Sequence, residues 1–264
     1  MKITVFTSNQ PRHLSLIADL ATIADQVFAI QECNTVFPGR VADFLRASEV
    51  MENYFSKVID AEKEVFGGLR FSSPNAQTLS IKSGDLNRID IGLLADALHS
   101  DIYVVFGASF IKGPLLEFLI ANKAVNIHMG ISPYYRGSSC NFWAIYDGNP
   151  DLVGATIHLL SRGLDSGPML FHALPKPAAI DPFLLGFHAV QAAHHALIES
   201  IKSGRLFSLK ALPQDRNLEI RYSRHRDFTD EVAKEYLERN LNARDIDRML
   251  KSRRERQLLE PQYF

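Results

Sequence analysis

The run from Lys2 to Ile30 limits the fold more than any other part of the chain. Lys2 to Phe6 alternates as a short strand, Leu14 to Ala24 carries apolar residues at helical spacing, and Gln26 to Ile30 reads as a second strand. A strand, helix, strand order implies a parallel pair joined by a right-handed crossover. The expected class is therefore α/β, with a Rossmann-like open twisted sheet and ligands at the carboxyl ends of its strands. The turn after the first strand, Thr7 to His13, lacks the glycines that let a backbone approach a pyrophosphate, which argues against a dinucleotide site. Arg12 and His13 still stand at a strand end, where they are either ligand contacts or part of a solvated loop.

Further along, Gly39 to Val65 has a long helix-compatible pattern. Val41, Phe44 and Leu45, then Val50, Tyr54, Phe55, Val58 and Ile59, share one apolar face, as in a helical excursion covering a sheet edge. Gly67 to Gly84 reads as loop, with Ser72-Ser73-Pro74-Asn75 as a turn, and Asp90 to Ala97 as a short helix. Asp101 to Phe106 is a compact apolar strand. The small-residue loop Gly107 to Gly113 follows it and lets backbone come close to a flat ligand, before Pro114 opens a helix to about Ala121. Asp181 and Pro182 give the N-cap and first position of a strong helix ending near Ser203. Leu206 to Phe264 is more charged, with a strand candidate Glu219 to Tyr222 and two helix-like segments from Thr229 to Leu259. Its basic run Lys251 to Arg256 reads as a solvated helix face.

Charge and cysteine content remove several function classes. Lys and Arg total 29 against 30 for Asp and Glu, so the net charge of -1 gives no global pull toward nucleic acid or an anionic membrane. No apolar run approaches a membrane span, and the apolar part of MKITVFTSNQ is too short for a signal peptide, so a cytoplasmic protein without a membrane or nucleic-acid partner is expected. Cys33 and Cys140 form neither a disulfide framework nor a zinc-ligand spacing, and Cys140 reads as a buried neutral thiol. His188, His194 and His195 share one helix without a common face or a completing carboxylate, so no metal is expected.

The chemistry concentrates between Val125 and Pro168. Lys123 to His128 looks like a buried strand, which puts Asn126 and His128 on one face. A loop with Gly130, Pro133 and Gly137 follows, then a helix around Phe142 to Tyr146, a β-branched strand Val153 to Leu160, and Asp165-Ser166-Gly167-Pro168. An amide, an imidazole and a carboxylate with no serine or cysteine nucleophile paired to them suit a reaction whose nucleophile belongs to the substrate. In acyl transfer to an amine, Asn126 and a protonated His128 would stabilise the developing oxyanion. Asp165 would keep the imidazole charged and help remove the amine proton.

The same stretch resembles the formyltransferase family that uses 10-formyltetrahydrofolate. The matches are Asn126-Ile127-His128, Pro133, Arg136-Gly137, Trp143-Ala144-Ile145, Thr156-Ile157-His158 and Asp165-Ser166-Gly167-Pro168, in the family's order. The resemblance implies a formyltransferase catalytic domain over residues 1–204, with 205–264 as a small, mainly helical C-terminal extension packed on it. It also implies catalytic roles for Asn126, His128 and Asp165, with 10-formyltetrahydrofolate as co-substrate and no metal. The pterin would lie along Phe106, Gly107, Ala108, Ser109, Phe110 and Ile111, closed on the far side by Gly163, Leu164 and Asp165. Two departures stand out: the family's Ser-Leu-Leu-Pro is Gly130-Ile131-Ser132-Pro133 here, and its proline after the Arg-Gly pair is absent from Ser138-Ser139-Cys140-Asn141. Both are expected on the acceptor side.

Methionyl-tRNA members of the family carry a β-rich C-terminal domain and a basic surface, whereas the segment after Gly204 is helix-prone and not basic. Glycinamide ribonucleotide members are shorter. The pattern looks most like sugar N-formyltransferases, which formylate an amine on a nucleotide-linked deoxysugar for surface glycans, with a weaker resemblance toward the pseudaminic-acid branch. Arg12, His13 or Arg136 would then meet a diphosphate and Tyr134, Tyr135 or Phe142 a base, each with a packing role as the competing reading. The helix of Trp143 or the C-terminal helices would offer the apolar edges of a homodimer. A formyltetrahydrofolate hydrolase, in which water replaces the amine, is the competing activity.

Overall fold

In the computed structural model, which describes residues 1–41, 43–252 and 255–264, the opening run forms strand β1 (Lys2–Ser8), helix α1 (Pro11–Ala21) and strand β2 (Gln26–Cys33). The two strands pair in parallel from Lys2 opposite Gln26 to Ser8 opposite Glu32. Leu16, Ile17 and Leu20 of α1 bury against Ile3, Val5 and Val27, which is the apolar face the helical spacing encodes.

The excursion is shorter than its apolar pattern. Helix α2 is Glu49–Phe66, begun by Ser48, whose side chain accepts the Met51 N–H, and ended at Gly67, where φ is +73°. Val41 and Leu45 precede that cap, and a single 3-10 turn, Phe44–Arg46, stands where a longer helix was expected. The following segment corrects the loop expectation, because it contains strand β3 (Ala76–Lys82), paired in parallel with β2 at the sheet edge. Gln77 to Ser80 are exposed, so backbone hydrogen bonds to β2 rather than burial define this strand. Similarly, a 3-10 turn, Ile91–Leu94, replaces the short helix expected from Asp90 to Ala97.

Strand β4 (Ile102–Val105), helix α3 (Gly113–Ala121) and strand β5 (Val125–His128) continue the parallel sheet. Next come β6 (Tyr135–Gly137), α4 (Cys140–Tyr146), β7 (Ala155–Leu159) and β8 (Met169–Leu174). Strand β8 was not expected, because its run Met-Leu-Phe-His-Ala-Leu lacks alternation; it is buried throughout. Helix α5 (Pro182–Lys202) is capped by Asp181, which accepts from Phe183 N at 2.8 Å and Leu184 N at 3.3 Å. Its Val190, Ala193, Leu197 and Ile201 pack in one cluster with Ile157 and Phe171 of the sheet.

Beyond α5 lie α6 (Arg205–Ser208), β9 (Arg221–Ser223), α7 (Asp230–Glu238), α8 (Ala243–Lys251) and β10 (Gln262–Tyr263). Arg253 and Arg254 of the basic run lie outside the described residues. Among those described, the main sheet has the order β10-β8-β7-β5-β4-β1-β2-β3, with β7 antiparallel to both neighbours. The C-terminal segment shares a core with the rest: Phe228, Ala233, Tyr236 and Ile246 cluster with Tyr54, Trp143 and Leu185. Trp143 is buried beneath the Arg221 guanidinium, 4.4 Å from its ring, so this side chain presents no exposed apolar edge. No described helix is long and apolar enough to cross a membrane.

Strands β6 and β9 join the C-terminal segment to the centre of the chain. Gly137 sits there with φ +90°, and a Cβ on it would lie 1.9 Å from the Ser223 carbonyl oxygen. Gly137→Ala is expected to cost at least about 2 kcal/mol in urea unfolding, because both the backbone angle and the close approach must yield. A loss below about 0.5 kcal/mol would contradict this packing.

Candidate active site

Strand β5 carries Asn126 and His128 on one face, and antiparallel β7 sets His158 opposite Asn126 and Thr156 opposite His128. The turn from β7 to β8 then brings back Asp165, which has φ +46°. Gly167 makes the return possible, because a Cβ there would lie 1.7 Å from the Leu159 carbonyl oxygen. Gln214 of the C-terminal segment secures the same turn, donating to Asp165 O at 2.8 Å and Gly167 O at 3.0 Å.

The amide, imidazole and carboxylate converge. Asn126 Nδ2 donates to Asp165 Oδ1 at 3.3 Å, and His128 Nδ1 is 3.4 Å from Asp165 Oδ2. His158 joins them as a residue that sequence reasoning quoted in a motif without assigning it a role. Its Nδ1 is 2.8 Å from Leu159 O, which assigns the proton to that nitrogen and leaves Nε2 to accept from Asn126 Nδ2 at 3.0 Å. Both amide protons of Asn126 are thus directed at His158 and Asp165. The available signal was pairing: in an antiparallel strand, the histidine of Thr-Ile-His falls opposite the asparagine of Asn-x-His.

Burial disfavours the His128 imidazolium, yet the Asp165 charge, then Cys140 and the hydrogen bond His128 donates to Asp165, hold its pKa well above the ordinary histidine value. Burial likewise disfavours the Asp165 carboxylate, but His128, by charge and hydrogen bond, followed by His158, holds it well below the usual carboxylate range. Both shifts favour the imidazolium–carboxylate form of the pair. By contrast, His172 is pushed down to about 4 by burial and stays neutral, 2.8 Å from Ser132 O.

Two recesses flank this centre. A narrow cleft has Asn126, His158 and Asp165 on its floor and runs between Ala108 to Ile111 and Ser161 to Leu164. Phe110 and Leu164 are exposed at its walls, an apolar lining suited to a flat ring. Six expected cofactor residues line it: Ala108, Ser109, Phe110, Ile111, Gly163 and Leu164. Phe106 is instead buried against the His13 ring at 4.8 Å, and Gly107 rests directly on that ring.

A second cavity, of about 410 Å³, is walled by aromatic side chains including Tyr54, Phe142, Phe183 and Phe228, with Met129 and Arg12 also in its lining. Of the expected acceptor contacts, Arg12 and Phe142 line it, with Arg12 Nη1 2.8 Å from Glu62 Oε1. His13 is buried on Thr7 Oγ1 at 2.9 Å. Tyr134, Tyr135 and Arg136 are also buried and line neither recess. Tyr134 OH bonds the Gln257 backbone, Tyr135 OH donates to Asp147 at 3.2 Å, and Arg136 pairs with Glu219 at 2.8 Å. They fasten loops and the C-terminal segment around the site.

Ser139 and Asn141 of the second sequence departure line the aromatic-walled cavity, while Gly130 of the first packs against Cys140 of the second. A Cβ on Gly130 would lie 2.5 Å from Cys140 Cβ and 2.8 Å from His128 Nε2. Cys140 fills that space, its Sγ 3.6 Å from His128 Nε2, so Gly130 and Cys140 both pack against the imidazole.

A family profile described as Formyl transferase matches residues 1–179, which include the whole Asn126, His128 and Asp165 centre. The chain belongs to the formyl transferase family. Among solved structures of similar fold, a 4-N formyltransferase from Francisella tularensis is 16% identical with a TM-score of 0.52, over 86% of this chain and 77% of that one. The formyltransferase PseJ from Anoxybacillus kamchatkensis, solved with UDP-4,6-dideoxy-4-formamido-L-AltNAc and tetrahydrofolate, is 15% identical with a TM-score of 0.50, over 93% of this chain and 97% of that one. Curated relatives include a methionyl-tRNA formyltransferase of Synechococcus sp. (strain JA-3-3Ab), 29% identical over 121 residues. That match spans 46% of this chain and 37% of the relative's length. A methionyl-tRNA formyltransferase of Trichlorobacter lovleyi is 30% identical over 115 residues, 42% of this chain and 36% of its own length.

The charge pair has a pH signature. The raised His128 pKa contributes stability that is full below the ordinary histidine value and lost as pH rises through the folded one. The lowered Asp165 pKa contributes stability present above the ordinary carboxylate value and lost as pH falls. The melting-temperature difference between the unaltered protein and Asp165→Asn should therefore be largest between about pH 4 and 6.5 and shrink in both directions. A difference flat from acid to alkali would rule out the ion pair.

Proposed function

We propose that this protein transfers the formyl group of 10-formyltetrahydrofolate to the primary amine of a nucleotide-linked amino sugar, a cytoplasmic step in making surface glycans. The observation that carries this reading is a cleft with apolar walls lined by Asn126 and Asp165, with the buried His128 paired to Asp165 behind it. The co-substrate supplies an activated formyl carbon, and its pterin fits between Phe110 and Leu164. Asn126 and the His128 imidazolium turn toward the formyl oxygen as negative charge develops there, exchanging contacts with Asp165 for contacts with the substrate. The amine loses one proton and the departing folate nitrogen gains one, so the His128–Asp165 pair passes a proton across and ends as it began.

The acceptor side rests on the aromatic cavity beside Met129, the neighbour of His128. Phe142 offers a face for a base, and Arg12 a cation for a diphosphate once it exchanges Glu62 for the ligand. The fold likeness to PseJ, whose complex holds a UDP-linked formamido sugar, supports the same class. Methionyl-tRNA is the second reading, favoured by the curated relatives, while the net charge of -1 weighs against it.

Assays of folate turnover with a panel of nucleotide-linked amino sugars, with initiator methionyl-tRNA, and without amine separate these readings. Turnover only with an amino sugar is expected; turnover without amine would establish the hydrolase instead. His128→Ala and Asp165→Ala should remain folded by circular dichroism and lose about 10²–10⁴-fold in rate. An active His128→Ala protein would refute the role given to that residue.

Activity should also persist above the ordinary histidine pKa and decline only at more alkaline pH, where His128 loses its proton. In Asp165→Asn, the residual activity should be lost as pH rises already at a pH below the ordinary histidine value, because burial then acts on His128 without the carboxylate.

A further inference from the structure

Two side chains hold the apolar-walled cleft open from behind. Glu32 is the second-last residue of β2 and is only 2% exposed. Its Oε2 accepts the Ser109 N–H at 2.5 Å, while Oε1 accepts Gly84 N–H at 2.8 Å and Leu86 N–H at 3.4 Å. One turn further on, Asn87 Nδ2 donates to Phe110 O at 2.9 Å and Asn87 Oδ1 accepts the Lys112 N–H at 2.7 Å. Between them they fix the backbone of the cleft wall at Ser109, Phe110 and Lys112.

A buried carboxylate is tolerated only when hydrogen-bonded, so Glu32 ties the end of β2, the turn after β3 and the cleft wall into one unit. In dinucleotide folds, the acid at this strand end holds a ribose. Here it is turned inward, and all three of its hydrogen bonds go to backbone N–H groups of the protein. Ser109 and Phe110 face Gly163 and Leu164 across the cleft, so the position of this wall sets the width available to a flat ligand.

We propose that Glu32 and Asn87 are positioning residues for the folate: they hold the Ser109–Phe110 backbone in the place from which it grips the pterin. The inference rests on the folate reading above. Without the brace, the wall must be ordered when the ligand binds, and that entropy is charged against affinity.

The test is calorimetric titration of tetrahydrofolate into the unaltered protein, Glu32→Gln and Asn87→Ala, with melting temperatures measured alongside. Glutamine places an amide N–H against the Ser109 N–H or the Gly84 N–H, so Glu32→Gln should weaken binding at least about tenfold. Asn87 is exposed, so its alanine variant should fold normally and weaken binding about three- to tenfold. Variants that bind as tightly as the unaltered protein would overturn the brace, whether or not their melting temperatures fall. An unaltered protein that binds no tetrahydrofolate would overturn the folate reading and the brace together.

Discussion

The site depends on a charge pair that burial opposes at both ends. Burial disfavours both the His128 imidazolium and the Asp165 carboxylate, and the attraction between them across 3.4 Å is the main influence that favours each charge. Much of the local architecture serves to bring the two together. Strand β5 delivers the imidazole at its carboxyl end, β7 runs back antiparallel, and the turn held by Gly167 and Gln214 returns the carboxylate. Reversing β7 supplies His158 as well, which accepts from Asn126 and so fixes the amide beside the pair.

The C-terminal segment is part of this arrangement, since Gln214 reaches the Asp165 turn, β9 pairs with β6, and β10 lengthens the main sheet. Tyr134, Tyr135 and Arg136 belong to the same fastening. As a run of aromatic and cationic side chains in a loop they resemble ligand contacts in sequence. In space they bond Gln257, Asp147 and Glu219, and Gln257 and Glu219 come from far along the chain. The aromatic cavity is built by other residues, among them Tyr54 of α2 and Phe228, far apart in the sequence.

The parts of the fold legible in the sequence were those with a local signal. The crossover from β1 to β2 follows from periodicity, α5 from Asp181 and Pro182, and the pairing face of Asn126 and His128 from strand geometry. Strands β3, β8 and β10 were not legible. The first is exposed through its middle, the second is buried throughout, and the third is too short to show a period.

By itself, then, the sequence determined the α/β class and which residue types could do chemistry, because periodicity and motif order are local. Tertiary structure decided which of those residues meet. It brought Asp165 to His128 and placed Cys140 in the space Gly130 leaves. It turned Glu32 inward to grip Ser109 and withdrew Tyr134 to Arg136 into the interior. Each of these outcomes rests on a tertiary contact, in most cases between segments distant in the chain, where packing and the need to pair buried polar groups decide, and no local pattern encodes either.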